Sequence, residues 1–207
     1  RVLFRSGMGD SALTLHPSLR VNSVKELIDL AKKRPGELLY ASSGIGGFPH
    51  MSTELFKMMT KTSITHVPFK GGGPAAVDTM AGHSQIMFGS LPTVAAIIAS
   101  GRLKLLATGG KQRHANFPNV PTVAETVPGF ESTIWFGLFA PRNTPADIIA
   151  SVHTEINNAL TSPELLRRMA EQGAVPAKIS TAEFAKLMIA ETNKWQEVIR
   201  VAGIKAE

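Results

Sequence analysis

The chain contains no cysteine, one tyrosine and two tryptophans among its 207 residues, and each scarcity removes a class of chemistry. Without cysteine there is no disulfide, no thiol nucleophile and no Cys-ligated metal, a composition compatible with a periplasmic or secreted protein. Aromatic residues at 6% leave little surface for base stacking, so no nucleic-acid partner is expected. No apolar run approaches the roughly 20 residues that span a bilayer, which argues against direct membrane insertion. No signal peptide is visible. Histidines are scattered without a His-x-x-x-His spacing, so no metal site is expected, and nothing calls for a cofactor. Carboxylates are sparse around the Gly-rich turns, with no Asp/Glu pair placed for acid–base work.

What is present is a hydrophobic fraction of 43%, enough for one sizeable core or two small ones. The formal charge of +6 is dispersed. Its densest run, Lys32-Lys33-Arg34, suits a helix C-terminus, and the mild positive bias suits an anionic ligand.

Periodicity and punctuation predict alternating strands and helices. A strand over Ser11–His16 is closed by Pro17. A helix over Val24–Lys33 is capped by Ser23, with Glu26 at capping-box spacing and Val24, Leu27, Ile28 and Ala31 as its apolar stripe. Strands follow at Glu37–Ala41, Ser63–Val67, Ser84–Phe88 and Leu103–Thr108. Helices follow at Pro49–Thr60, Pro74–Ala81 and Leu91–Ser100. Short βα units of this kind predict a mostly parallel sheet covered by helices, with ligands beyond the carboxyl ends of its strands. After a loop-rich stretch over Gly110–Pro128, the pattern gives a strand over Ile134–Ala140 and helices over Pro145–Leu160, Pro163–Gln172 and Thr181–Ala202. One strand and three helices cannot complete an α/β domain alone, so this tail is expected to pack on a sheet supplied from elsewhere.

Two strand-to-helix turns carry the candidate chemistry. Ser42-Ser43-Gly44-Ile45-Gly46-Gly47 leads towards His50, and Lys70-Gly71-Gly72-Gly73-Pro74-Ala75 follows the next strand. Backbone N–H groups in such turns, with those of the helix start, can hold an anion. Neither is a dinucleotide fingerprint or a phosphate-binding P-loop. Lys70 either pairs with a carboxylate or phosphate, or is an ordinary surface lysine. Ser90, ending a third strand at the same edge, is a candidate donor. Pairing Ser42 or Ser43 with His50 would give a hydrolase, but no Gly-x-Ser-x-Gly elbow exists. His50 reads better as fixing the turn by a hydrogen bond, and the remaining histidines, His66 among them, read as structural or exposed.

The ordered set Ser23-Val24-Lys25-Glu26-Leu27, Leu39-Tyr40-Ala41-Ser42-Ser43-Gly44, His50-Met51-Ser52-Thr53-Glu54-Leu55-Phe56-Lys57 and His66-Val67-Pro68-Phe69-Lys70-Gly71-Gly72-Gly73-Pro74-Ala75 resembles the Bug/TctC family. So do Pro118-Asn119-Val120-Pro121-Thr122, Trp135-Phe136-Gly137-Leu138-Phe139-Ala140-Pro141 and Glu171-Gln172-Gly173-Ala174. The family comprises extracytoplasmic solute-binding receptors of tripartite tricarboxylate transporters. The resemblance implies a periplasmic-binding-protein-like α/β fold of type II with two lobes, and a small carboxylate ligand. Membrane permease subunits would be the partners of a monomeric, periplasmic receptor with no enzymatic activity. It implies that residues 1–12 are a non-native or residual segment, that 13–126 form the second lobe, and that 127–207 supply a hinge-crossing strand and helices to a first lobe lacking its N-terminal part. Family contacts map to Ser42–Gly47 with His50, to Lys70–Ala75 and to Gly89-Ser90; Gly89 stands where many members carry Asp, which tilts the expectation towards a plain carboxylate. An enzyme of acyl or phosphoryl chemistry and a ligand-sensing module are the rival readings.

Overall fold

The computed structural model describes residues 2–171 and 173–205, and divides into two compact units: residues 10–133 with 196–207, and residues 1–9 with 134–195. Strand β1 (Val2–Leu15) contributes to both.

In the larger unit β1 is followed by α1 (Val24–Lys33), β2 (Leu39–Ser42), α2 (Phe48–Thr60), β3 (Thr65–Pro68), α3 (Gly72–Ala81), β4 (Ile86–Ser90), α4 (Leu91–Ala99) and β5 (Lys104–Thr108). The strand order is β3-β2-β4-β1-β5. β2 is parallel to both β3 and β4, as the βα alternation predicts. β1 is inserted between β4 and β5 and runs antiparallel to both, which the expectation of a mostly parallel sheet did not include. Its partners β4 and β5 lie far along the chain, so no tight turn or crossover helix between neighbouring residues marks its direction. It also starts at Val2, well before the expected Ser11. The register Ser11↔Ser90 places the middle of β1 at the same sheet edge as the carboxyl end of β4.

The core is built on Phe56 of α2, Phe88 of β4 and Phe130 from the loop after β5, all at most 1% exposed, with ring centroids 5.7–6.3 Å apart. Burying each such ring contributes about 1.5–3 kcal/mol, so this cluster anchors α2 to the sheet. α2 is buried over Pro49–Phe56, more completely than an amphipathic stripe predicts, while Met58 and Met59 further along are partly buried. Beyond β5 the loop-rich stretch holds only a short 3-10 turn, Val123–Glu125, closed by a reciprocal Thr122/Glu125 capping box.

In the smaller unit β6 (Thr133–Phe139) and β7 (Ala174–Pro176) pair with the first part of β1. The latter, three residues long, was invisible to pattern reading. Two helices, α5 (Ala146–Ala159) and α6 (Pro163–Glu171), lie wholly within it, and α7 (Thr181–Ala202) belongs to it as far as Trp195. Gln172, expected to end α6, lies outside the described residues. Trp135 meets buried Phe184 edge-on at 5.4 Å. No residue of α5 is buried, and Ile148 is 50% exposed. Phe136, Leu138 and Phe139 of β6 are exposed too.

Candidate functional site

β2, β3 and β4 are co-directional, so the turns that follow them emerge at one sheet edge, all within the larger unit. The structure joins the first two. The Phe69 N–H donates to the Ser42 carbonyl (2.9 Å) and the Gly71 N–H to the Ser43 carbonyl (3.2 Å). Gly44, at φ +117°, lies so near the Phe69 carbonyl that a Cβ there would approach to 3.3 Å. A Cβ on Gly72 would touch Thr93 at 3.4 Å, which brings the start of α3 to that of α4. Ser42–Gly47, Lys70–Ala75 and Ser90 therefore form one continuous edge.

Three helices begin here and none has a side-chain cap: their N-caps are Gly47, Gly71 and Ser90. The Ser90 hydroxyl is instead hydrogen-bonded to that of Thr93 (2.7 Å), a neighbour the sequence reading did not single out. Each helix has a proline in its first three positions, Pro49, Pro74 and Pro92, which removes one otherwise unsatisfied N–H. Among the described residues the N–H groups of Ile45, Phe48, Gly72 and Gly73 have no acceptor. Helix starts concentrate partial positive charge, so the edge favours an anion. Lys70, exposed between the two turns, adds a full charge and forms no ion pair among the described residues. Ile45, Gly46, Gly73 and Pro74 are likewise exposed.

Below the first turn lies a stack that sequence alone did not reveal. The ring of His66 is sandwiched between Tyr40 (centroids 4.7 Å apart) and His50 (4.1 Å, 6° between planes). The Gly46 N–H donates to His50 Nδ1 (2.9 Å), so His50 fixes the turn as the residue pattern suggested. His66 Nε2 lies 2.6 Å from Ser42 Oγ, which accepts the Gly44 N–H at 3.1 Å. Reading His66 as merely structural or exposed missed this role, because its partner is 24 residues away and is met only through β2–β3 pairing. The Tyr40 hydroxyl donates to Glu54 Oε1 (2.6 Å), which also accepts from Lys57 Nζ (2.6 Å). Burial pushes the His50 imidazole below its ordinary value and holds His66, helped by the neighbouring His50, down to about 4. Burial, with the hydrogen bond to Glu54, raises the Tyr40 phenol.

Ser42 and His66 are the one nucleophile–base pair at this edge, and the geometry argues against their use in catalysis. Ser42 is fully buried, and its Oγ is committed to Gly44 and His66. At Gly89 a Cβ would come within 2.7 Å of Val94 Cγ1, so this chain has no room there for an aspartate. No metal-binding cluster is found among the described residues.

An α/β unit that gathers uncapped helix starts and a lysine at one strand edge has the build of an anion-binding protein. Residues 6–204 match the model of the tripartite tricarboxylate transporter family receptor, TctC, and the chain belongs to that family. It is 38% identical to Protein BugT of Bordetella pertussis over 97% of the chain and 62% of the relative. It superposes on the R. palustris protein Rpa4515, solved with adipate, with a TM-score of 0.87 and 35% identity, covering 98% of this chain and 68% of that one. MatC from Rhodopseudomonas palustris, solved with bound malate, gives a TM-score of 0.84 at 25% identity over 96% of this chain and 69% of that one. The fold is that of periplasmic binding proteins of this type, and the family and its structural neighbours are substrate-binding receptors, not enzymes. The chain spans 62% of the length of BugT.

Proposed function

We propose that this chain is the larger part of an extracytoplasmic receptor that captures a small carboxylate for a tripartite tricarboxylate transporter. The observation that carries the reading is the joined edge of uncapped helix starts, with unpaired N–H groups at Ile45, Phe48, Gly72 and Gly73 beside Lys70. A carboxylate oxygen accepts several such bonds at once, and bonds to a charged acceptor are about twice as strong as neutral ones. Ser42–Gly47, His50, Lys70–Ala75 and Ser90 are the residues assigned to the ligand. The scarcity of acidic side chains there favours a plain carboxylate over an amino acid, and the space closed by Val94 at Gly89 agrees. Relatives solved with adipate and malate give the size and charge class to test first.

In this reading the strand-and-turn region within residues 13–126 is one lobe of the receptor, and residues 127–207 complete the other. Closure of the lobes over the ligand then presents it to membrane permease subunits. The site of action is the periplasm, the receptor is monomeric, and no helix among the described residues is long and apolar enough to cross a membrane.

Thermal unfolding against a panel of mono-, di- and tricarboxylates tests the reading. A ligand that binds the folded state raises the midpoint by mass action, the rise growing with the logarithm of its concentration above the dissociation constant. A rise with one acid class, lost on altering the Ser42–Gly47 turn and reduced on altering Lys70, supports it; a cooperative transition unmoved by every acid counts against it.

A further inference from the structure

Carboxylate capture as proposed uses the amides of the Ser42–Gly47 turn; it gives His66 no part and leaves open how His50, buried beneath the turn, serves it. Their geometry assigns each a part. His50 Nδ1 accepts the Gly46 N–H at 2.9 Å, which requires a lone pair on that nitrogen and puts the ring's proton on Nε2, facing Glu54 Oε1 at 4.0 Å. His66, stacked on it at 4.1 Å, meets Ser42 Oγ, and Ser42 Oγ accepts the Gly44 N–H. Alternate amides of the turn, those of Gly44 and Gly46, are thus tied to the two rings, one through a hydroxyl and one directly. The Ile45 N–H between them is left without an acceptor. Gly44 and Gly46 both have positive φ, at 117° and 73°, a conformation that needs outside support to persist as one state.

The charged and titratable groups around the pair are few. Tyr40 stacks on His66 from β2, while Glu54 and Lys57 come from α2 and are bonded to each other. Glu54 favours a proton on either ring; burial opposes it, and so does Lys57. A proton on His50 Nδ1 would turn the acceptor of the Gly46 N–H into a donor facing a donor. A second proton would set two like charges face to face.

We propose that His50 and His66 are positioning residues, an uncharged stacked pair that fixes which amides of the turn are tied and which are free, so that a proton on His50 releases the turn and abolishes its ligand-ready form. The consequence for carboxylates rests on the reading given above.

The test uses the whole 207-residue chain in solution. Imidazole and amide 15N spectra are followed from about pH 7 down to about pH 4, a range carried well below the ordinary histidine value because burial lowers that of His50. His50 is expected as the Nε2–H tautomer at the upper end. Exchange of the Gly46 amide, corrected for its intrinsic pH dependence, is expected to accelerate about tenfold or more in step with protonation of His50. His50→Asn, which keeps an acceptor but cannot titrate, should retain Gly46 protection throughout. His50→Leu should lose it throughout. With adipate as probe, wild-type affinity should fall about tenfold more across this range than that of His50→Asn, a comparison that cancels the protonation of adipate itself. Gly46 exchange unrelated to the His50 titration, or an equal fall in His50→Asn, overturns the proposal. If Gly46 follows His50 but adipate binds at no pH, the positioning role stands and the carboxylate reading fails.

Discussion

Two kinds of helix start occur within the larger unit. The start of α1 lies beside the beginning of β5, where Lys104 Nζ reaches the Val21 carbonyl (2.9 Å) and the Asn22 side chain. It is closed by its own residues: Ser23 Oγ accepts the Glu26 N–H (3.1 Å) and Glu26 Oε2 accepts the Asn22 N–H (2.8 Å). The starts of α2, α3 and α4, at the carboxyl edge of the strands, have at the cap position glycine or a serine whose hydroxyl is bonded to Thr93 rather than to the helix. Replacing a capping serine costs a helix about 0.5–2 kcal/mol with alanine and a few tenths with glycine. One uncapped start is a detail; three joined at one edge, beside a capped one elsewhere, mark where the chain keeps donors free for something outside itself. Side-chain caps stabilise the fold, and their absence at this edge leaves donors for a ligand.

Placing an acidic group at the open edge should break this contrast most severely. Gly89→Asp sets a Cβ against Val94 Cγ1 and buries a charge, and should cost about 3 kcal/mol or more in urea unfolding; pairing it with Val94→Ala should recover part of the loss. Acid should act next. Because the His66 imidazole is pushed down to about 4 in the folded chain, its contribution is fully present above the ordinary histidine value near 6.5 and is lost as pH falls towards 4. Allowing for the ring's partial exposure, about 1–2 kcal/mol should disappear across that window, and His66→Asn should flatten the profile.

Exchanging the character of single starts gives a sharper contrast. Ser23→Ala should remove about 1 kcal/mol of stability and leave carboxylate affinity unchanged. Gly71→Asp should do the reverse in affinity: its carboxylate would occupy the amides of α3, lowering ligand affinity about tenfold or more, and at φ +117° it should add about 1–2 kcal/mol of strain. The smallest effect is expected at Lys70, which is exposed. Lys70→Gln should weaken binding about threefold at low salt, and less at high salt, without moving the unfolding midpoint.

How much of this could be read from the residues follows from how local each determinant is. α1 was legible to both ends, Val24 and Lys33, because its cap, capping box and stripe lie within one window. The Gly-rich turns were legible because glycine at positive φ and proline in a first turn are themselves local marks. The stack of Tyr40, His66 and His50 was not, since it is assembled by the parallel register Tyr40↔His66 and by the packing of α2 on the sheet. The direction of β1 was hidden for a similar reason, for it depends on partners about 75 and 95 residues away. α5 was legible as a helix, but its pattern says nothing about whether a covering surface is present, and the helix buries no residue.

The measurement closest to the central claim is a titration of the 15N-labelled chain with adipate and with malate, followed at individual backbone amides. Saturable shifts at Ile45, Phe48, Gly72 and Gly73, with the amides of the α1 start unmoved and the response abolished in Gly71→Asp, are the predicted result. Saturable shifts confined to other residues, or none in a well-folded chain at ligand concentrations of about 10 mM, some tenfold above a weak millimolar dissociation constant, would contradict it.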